Sequence, residues 1–215
     1  MIVGHSQGGQ AALFGAHLAQ TWTAELTLLA VAAIAPASAL ERLLLLSLSP
    51  AAPDLVFLPL AIVGALADDP GLATELEQKV FTPLGLQLFK DTIDVQTRVE
   101  LSEPDSWAAL PGRKYFRVLS RKPRLTAALK RMHPDLEIQV PIRISQAVND
   151  SRVSAAATKR LWKQLKRRNY TVTVEWVEYE KVAPAIHVSL GDHFGILISD
   201  VAPLADWLER KFATA

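Results

Sequence analysis

The chain opens Met1-Ile2-Val3-Gly4-His5-Ser6-Gln7-Gly8-Gly9 and continues Gln10-Ala11-Ala12-Leu13-Phe14. Two β-branched residues, a serine bracketed by glycines, and an Ala-rich segment over residues 10–21 predict a strand end, a tight turn and a helix. In a G-x-S-x-G turn the serine sits on a sharp, strained bend, and small neighbours let the backbone pass without collision. The bend exposes the serine hydroxyl at the strand end and aims the next N–H at the same point, near the helix N-terminus. Ser6 is therefore the candidate nucleophile, and the Gln7 main-chain N–H the candidate oxyanion donor. The run has neither the Lys-Ser/Thr ending of a phosphate loop nor the G-x-G-x-x-G spacing of a dinucleotide site. In the helix that follows, Leu13, Phe14 and Leu18 are available for a buried face, and Gly15 and Ala16 let it lie close to a sheet.

Downstream, residues 26–35 (LTLLAVAAIA) form an unbroken apolar run ending at Pro36. Its place after a helix favours a buried parallel strand. Residues 38–133 differ in texture: rich in Leu and Ala, interrupted by Pro50, Pro53, Pro59, Pro70, Pro83, Pro104, Pro111 and Pro123, and without strand alternation. They predict short helices near 39–48, 54–67, 72–80, 84–99 and 124–132. Strand and helix patterns then resume, with a strand at 142–148 introduced by Pro141, a helix at 155–168 and an alternating strand at 171–179. A last helix follows at 201–212, its apolar face made of Leu204, Trp207, Leu208 and Phe212. This order predicts an α/β protein whose parallel sheet is flanked by helices. Residues 1–37 and 134–215 form its core, and residues 38–133 are inserted as a helical cap or lid.

Composition bounds the alternatives. The 215 residues suffice to bury a full core. Half are hydrophobic, and a formal charge of +1 gives no electrostatic case for nucleic acid. The absence of Cys excludes disulfides and thiolate metal sites without fixing a compartment. The first residues lack a basic n-region and an apolar h-region, and the apolar stretches at 43–48 and 55–67 fall short of a membrane span. His5, His17 and His133 have no metal-ligand spacing, so neither a metal nor any other cofactor is expected. His5 is read as shaping the turn. The basic face of the 155–168 helix reads as a solvated surface.

A serine nucleophile needs a base, and the base an orienting acid, in chain order Ser…Asp/Glu…His. Asp150 follows the strand at 142–148 and precedes a helix, where such an acid belongs. Two histidines follow the strand at 171–179: His187, between Ile186 and Val188, and His193, in Gly191-Asp192-His193-Phe194-Gly195. We favour His193, because a glycine-flanked loop lets an imidazole reach across to the serine; His187 remains the alternative.

Taken together, these residues resemble the α/β-hydrolases of the secretory-lipase kind and related bacterial lipase-like esterases. The similarity rests on residues 4–14, on residues 29–37 (LAVAAIAPA), on Pro141-Ile142-Arg143-Ile144 with Asn149-Asp150-Ser151-Arg152-Val153, and on His193 with Trp207-Leu208-Glu209-Arg210. It implies a Ser6–Asp150–His193 triad, the Gln7 amide in an oxyanion hole, and cofactor-free hydrolysis of an acyl ester or lipid through an acyl-enzyme. Ala147 stands where the family usually has Gly, and the 180–191 link is longer than usual. An acyltransferase or peptidase with the same triad, and a non-catalytic remnant, are the alternatives.

The family carries four strands before its nucleophile strand, and a loop among them supplies the second oxyanion N–H. The resemblance therefore implies a partial α/β-hydrolase fold, truncated at the N-terminal side where a signal peptide would also lie. Loss of one oxyanion donor typically lowers the rate by about 10²–10³-fold. The expectation is slow or absent hydrolysis of p-nitrophenyl butyrate by the 215-residue chain, with a tendency to aggregate. Rapid turnover that disappears in Ser6→Ala would overturn it.

Overall fold

The computed structural model describes residues 1–46, 57–96, 98–101, 106–107, 109–110, 112–117, 121–185 and 191–213. In chain order its elements are β1 (Ile2–His5), α1 (Gln7–Trp22), β2 (Val31–Ile34), α2 (Glu41–Leu46), α3 (Phe57–Asp68), α4 (Leu72–Glu75) and a π-helical turn (Leu76–Val80). They continue with α5 (Pro83–Thr92), α6 (Arg98–Leu101), α7 (Gly112–Tyr115), α8 (Pro123–Arg131), β3 (Ile142–Ala147), α9 (Ala155–Arg168), β4 (Val174–Tyr179) and α10 (Gly191–Ala213). Two compact units result: Met1–Ser38 with Pro134–Ala215, and Ala39–His133.

In the first unit the four strands run parallel in the order β1-β2-β3-β4. Alternation sorts their side chains between two faces. Val31, Ala33, Ile142 and Ile144 pack with Ala12, Leu13 and Ala16 of α1 and with Leu161 and Leu165 of α9. Ala30, Ala32, Ile34 and Ala147 pack with Ile196, Leu204 and Trp207 of α10. Helices thus cover both faces of the sheet. Strands β2 and β3 are buried along their whole length. For β2 an all-apolar sequence explains this. In β3 it is met by pairing Arg143, Ser145 and Gln146 with buried partners.

Two details of the expected pattern change. The buried face of α1 is made of small residues, Gly9, Ala12 and Ala16 with Leu13, while Leu18 is 38% exposed. Small side chains bring the helix backbone close to the sheet and leave no room below it for a second large one. Likewise α10 begins ten residues before the expected start at 201 and runs through Pro203. Pro203 stands on the exposed side, and the buried series Ile196, Asp200, Leu204 and Trp207 carries the helix past it. Phe212, expected on the apolar face, is 63% exposed in the last turn.

The second unit is helical; among its described residues the extended pairing is one isolated bridge between Phe81 and Phe116. Its core gathers Phe81, Phe89, Trp107, Tyr115 and Phe116 with leucines of α3, α4 and α8. The buried Glu75 carboxylate accepts the Arg124 and Leu125 N–H groups, neutralising donors that the start of α8 leaves unpaired. Helix α5 stops at Thr92 rather than extending to 99. Part of the expected helices at 39–48 and 54–67 lies outside the described residues. Among the described residues no helix is long and apolar enough to cross a membrane.

Leu13, fully buried in the cluster that α1 shares with β2 and β3, tests the packing. Leu13→Ala is expected to lower unfolding free energy by about 2–5 kcal/mol in urea titrations. The exposed Leu18→Ala change should lie within about 0.5 kcal/mol of wild type.

Candidate active site

The turn between β1 and α1 holds Ser6 at φ 57° and ψ −122°, a backbone conformation that L-residues rarely adopt. Main-chain bonds fix it from both sides: Ser6 N–H donates to the Ile34 carbonyl at 2.9 Å, and the Ser6 carbonyl accepts from Gln10 N–H and Ala37 N–H, each at 3.1 Å. Close approach requires the glycines. A Cβ on Gly4 would stand 1.9 Å from the Gly8 carbonyl oxygen, and one on Gly9 3.1 Å from the Gly4 and Ile34 oxygens. A Cβ on Gly8 would meet nothing within 4 Å among the described residues.

A serine at a helix N-cap usually turns its hydroxyl onto the first helical N–H groups. Ser6 instead places Oγ 2.9 Å from His193 Nε2. On the other side of the ring, His193 Nδ1 lies 2.8 Å from Asp150 Oδ2. A carboxylate only accepts, so Nδ1 carries the hydrogen and Nε2 is left to accept from the serine hydroxyl. Three residues far apart in sequence are thus joined in one line of hydrogen bonds. The Gln7 N–H is the first donor of α1, where a helix provides no internal acceptor for it.

His193 occupies the first turn of α10, not the flexible loop expected. Gly191, at φ +54°, turns the chain into the helix, and Asp192 places a negative charge at its positive end. A packed helix gives the imidazole a fixed origin; its ring is 2% exposed. His187 lies outside the described residues.

Asp150 follows β3 in a turn that saturates its carboxylate. Oδ1 accepts from Arg152 N–H at 2.8 Å and Val153 N–H at 2.9 Å. Oδ2 accepts from His193 and, at 3.1 Å, from the buried Gln146 amide. Burial by itself raises the Asp150 carboxyl, but the hydrogen bonds from His193, Val153 and Arg152, together with attraction to His193, outweigh it and hold the group below its ordinary value.

Several residues near this line were not identified from sequence as partners of the triad. Gln146 is one; being four residues before Asp150 was the only trace it left. Another is Asp200, whose fully buried carboxylate accepts from Arg143 at 2.8 and 2.5 Å, Ser145 Oγ at 2.7 Å and Tyr179 OH at 2.6 Å. Burial and this bond to Asp200 push the Tyr179 phenol up to about 12. The cluster clamps α10 to β3 and β4 two turns after His193. His5 Nε2 lies 2.7 Å from the His193 carbonyl oxygen. Elsewhere, His17 meets the Glu137 carbonyl and His133 accepts the Ala39 N–H. Among the described residues no three His, Asp or Glu side chains group so as to hold a metal ion.

No protein-family model and no curated protein matches the chain. Solved structures do. Candida antarctica lipase A in its closed state is 16% identical, with a TM-score of 0.65 over 83% of this chain and 43% of that one. The rice cell wall degrading esterase LipA from Xanthomonas oryzae is 19% identical, with a TM-score of 0.66 over 93% of this chain and 55% of that one. A point mutant of that esterase reaches a TM-score of 0.72 over 97% of this chain and 58% of its own. The chain has the α/β-hydrolase fold found in these lipase and esterase structures. It spans about half their length.

The charge state of Asp150 has a consequence for stability. A depressed native pKa means that the unfolded chain takes up the proton first as pH falls. Asp150 therefore contributes stability that is present above the ordinary carboxylate range, near about 4, and lost as pH falls through the lower native value. In thermal scans the Tm gap between wild type and Asp150→Asn is expected to be widest near pH 7 and to close toward about pH 2–3. A gap that does not vary with pH would contradict the ionised, hydrogen-bonded carboxylate.

Proposed function

We propose that this chain is a serine carboxylic-ester hydrolase working through Ser6, His193 and Asp150. The single observation that carries the reading is the line Ser6 Oγ–His193 Nε2 and His193 Nδ1–Asp150 Oδ2, at 2.9 and 2.8 Å, set on a strained serine turn. Ser6 Oγ attacks the ester carbonyl carbon while His193 Nε2 takes the hydroxyl proton. The oxyanion forms beside the Gln7 N–H at the helix N-terminus. When the tetrahedral adduct collapses, the C–O bond to the alcohol breaks and His193 returns the proton to the departing oxygen. A water then attacks the acyl-serine, again giving up its proton to His193, and the carboxylic acid is released with Ser6 restored. Asp150 stays ionised throughout and holds the imidazole in the Nδ1–H tautomer.

The substrate class is an acyl ester or lipid. Lipase and esterase structures of the same fold support it, as does an uncharged acyl group's indifference to the chain's near-neutral charge. The helical unit of residues 39–133 is inserted in the chain between β2 and β3.

A fluorophosphonate probe tests the nucleophile without requiring turnover. The expected result is one phosphonylated peptide containing Ser6, absent in Ser6→Ala and formed about 10⁴–10⁶-fold more slowly in His193→Ala. A folded wild-type chain that takes up no probe would make it a non-catalytic remnant of the fold. Product analysis with added alcohol separates hydrolysis from acyl transfer, the former giving free acid as the main product.

A further inference from the structure

We propose that His5 is a positioning residue for the base, a strut from the nucleophile turn to the main chain of His193. The inference rests on the hydrolase reading of Ser6 and His193. His5 is the last residue of β1 and immediately precedes Ser6, so its Cα moves with the strained turn. Its Nε2 lies 2.7 Å from the His193 carbonyl oxygen. A carbonyl only accepts, so Nε2 carries a hydrogen and donates it. The serine turn and His193 are therefore connected by a second bond, from His5 to the His193 main chain 188 residues away in sequence, that does not involve the reacting atoms.

Ring packing fixes the same geometry. The His5 and His193 centroids are 4.5 Å apart at 41°, and Phe194 presents an edge to both rings, 5.2 Å from each. His5 thus holds the first turn of α10 at its backbone, while the Asp200 cluster holds the helix two turns further along. With both in place the imidazole keeps its distance from Oγ without relying on the Ser–His hydrogen bond, which breaks and re-forms in each half-reaction.

The strut also has to be electrically quiet. During acyl transfer His193 becomes an imidazolium, and a charged ring 4.5 Å away would oppose that proton uptake. The titratable groups acting on His5 are His193 and Asp150. Burial first, and repulsion by His193 next, draw its pKa below the ordinary value, against smaller opposite pulls from the hydrogen bond to the His193 carbonyl and from Asp150. A neutral Nε2–H tautomer donates the same hydrogen bond without the charge.

The test compares fluorophosphonate labelling of Ser6 in wild type, His5→Phe and His5→Gln. Phenylalanine fills the ring volume and keeps the stacking without an N–H. Glutamine places an amide N–H near the position of Nε2. His5→Phe is expected to fold and to label about 10–100-fold more slowly, the scale of a small misplacement of a reacting group. His5→Gln should recover most of the rate, which a purely structural loss of the ring would not allow. Labelling of His5→Phe at the wild-type rate, or of His5→Gln no faster than His5→Phe, overturns the strut. Long-range ¹⁵N–¹H spectra of the imidazoles give a readout independent of activity. At about pH 7 His5 is expected as the neutral Nε2–H tautomer, and an Nδ1–H tautomer or a charged ring overturns the proposal. Failure of the hydrolase reading shows separately, as no labelling of the wild type, and the spectra then still decide whether the strut exists.

Discussion

Asp200 has no access to water, and two strands reach across to meet it: Arg143 and Ser145 from β3, Tyr179 from the end of β4. Burying a carboxylate and a guanidinium together carries a desolvation penalty of several kcal/mol per ion, offset here by a two-point contact and two hydroxyl donors. Removing one partner of such a pair leaves a buried charge unmatched, which typically destabilises by about 3–5 kcal/mol. Few interactions in the first unit constrain so much at once. They fix the angle of α10 against the sheet, and the start of α10 is where the candidate base sits.

The two buried aspartates of the first unit do different work because their partners differ. Asp200 faces the permanently charged Arg143 guanidinium. Asp150 faces main-chain and amide donors and the His193 imidazole. Its charge is solvated by dipoles, and among the described residues no Lys or Arg forms a salt bridge with it. A proton arriving on His193 completes that ion pair inside a site where both groups are almost fully shielded from water. On the proposed mechanism, stabilisation of this kind is available at the moment of proton transfer and absent before it.

The serine turn, and Asp150 and His193 as the residues that meet it, were legible because each leaves a local trace in the sequence. Gly4-His5-Ser6-Gln7-Gly8 constrains its own backbone, Asp150 follows the end of β3, and His193 is flanked by Gly191 and Gly195. The parallel α/β order was equally plain from the apolar run around β2 and the amphipathic α9. What escaped is set by tertiary contacts. Arg143 and Ser145 look like the polar side of a half-exposed strand and Gln146 stands on the opposite face, yet all three are buried, because their partners arrive from β4, α10 and the Asp150 turn. Helix α10 begins ten residues before the expected 201, and the buried series from Ile196 to Trp207 carries it through Pro203. The same gap hid His193 in a loop when it rides on a helix.

The G-x-S-x-G pattern treats its two glycines as equals, and the space around them does not. Any side chain at position 4 runs into the Gly8 carbonyl, while position 8 itself opens onto empty space among the described residues. Gly9, outside the pattern, is the more crowded neighbour. In a saturation library under selection for folding, codon 4 would then stay glycine and codon 9 would be the more restricted of the remaining two, while codon 8 accepts small replacements. Sequence searches that demand the second glycine of the motif and ignore the third would overlook distant members built on the same turn.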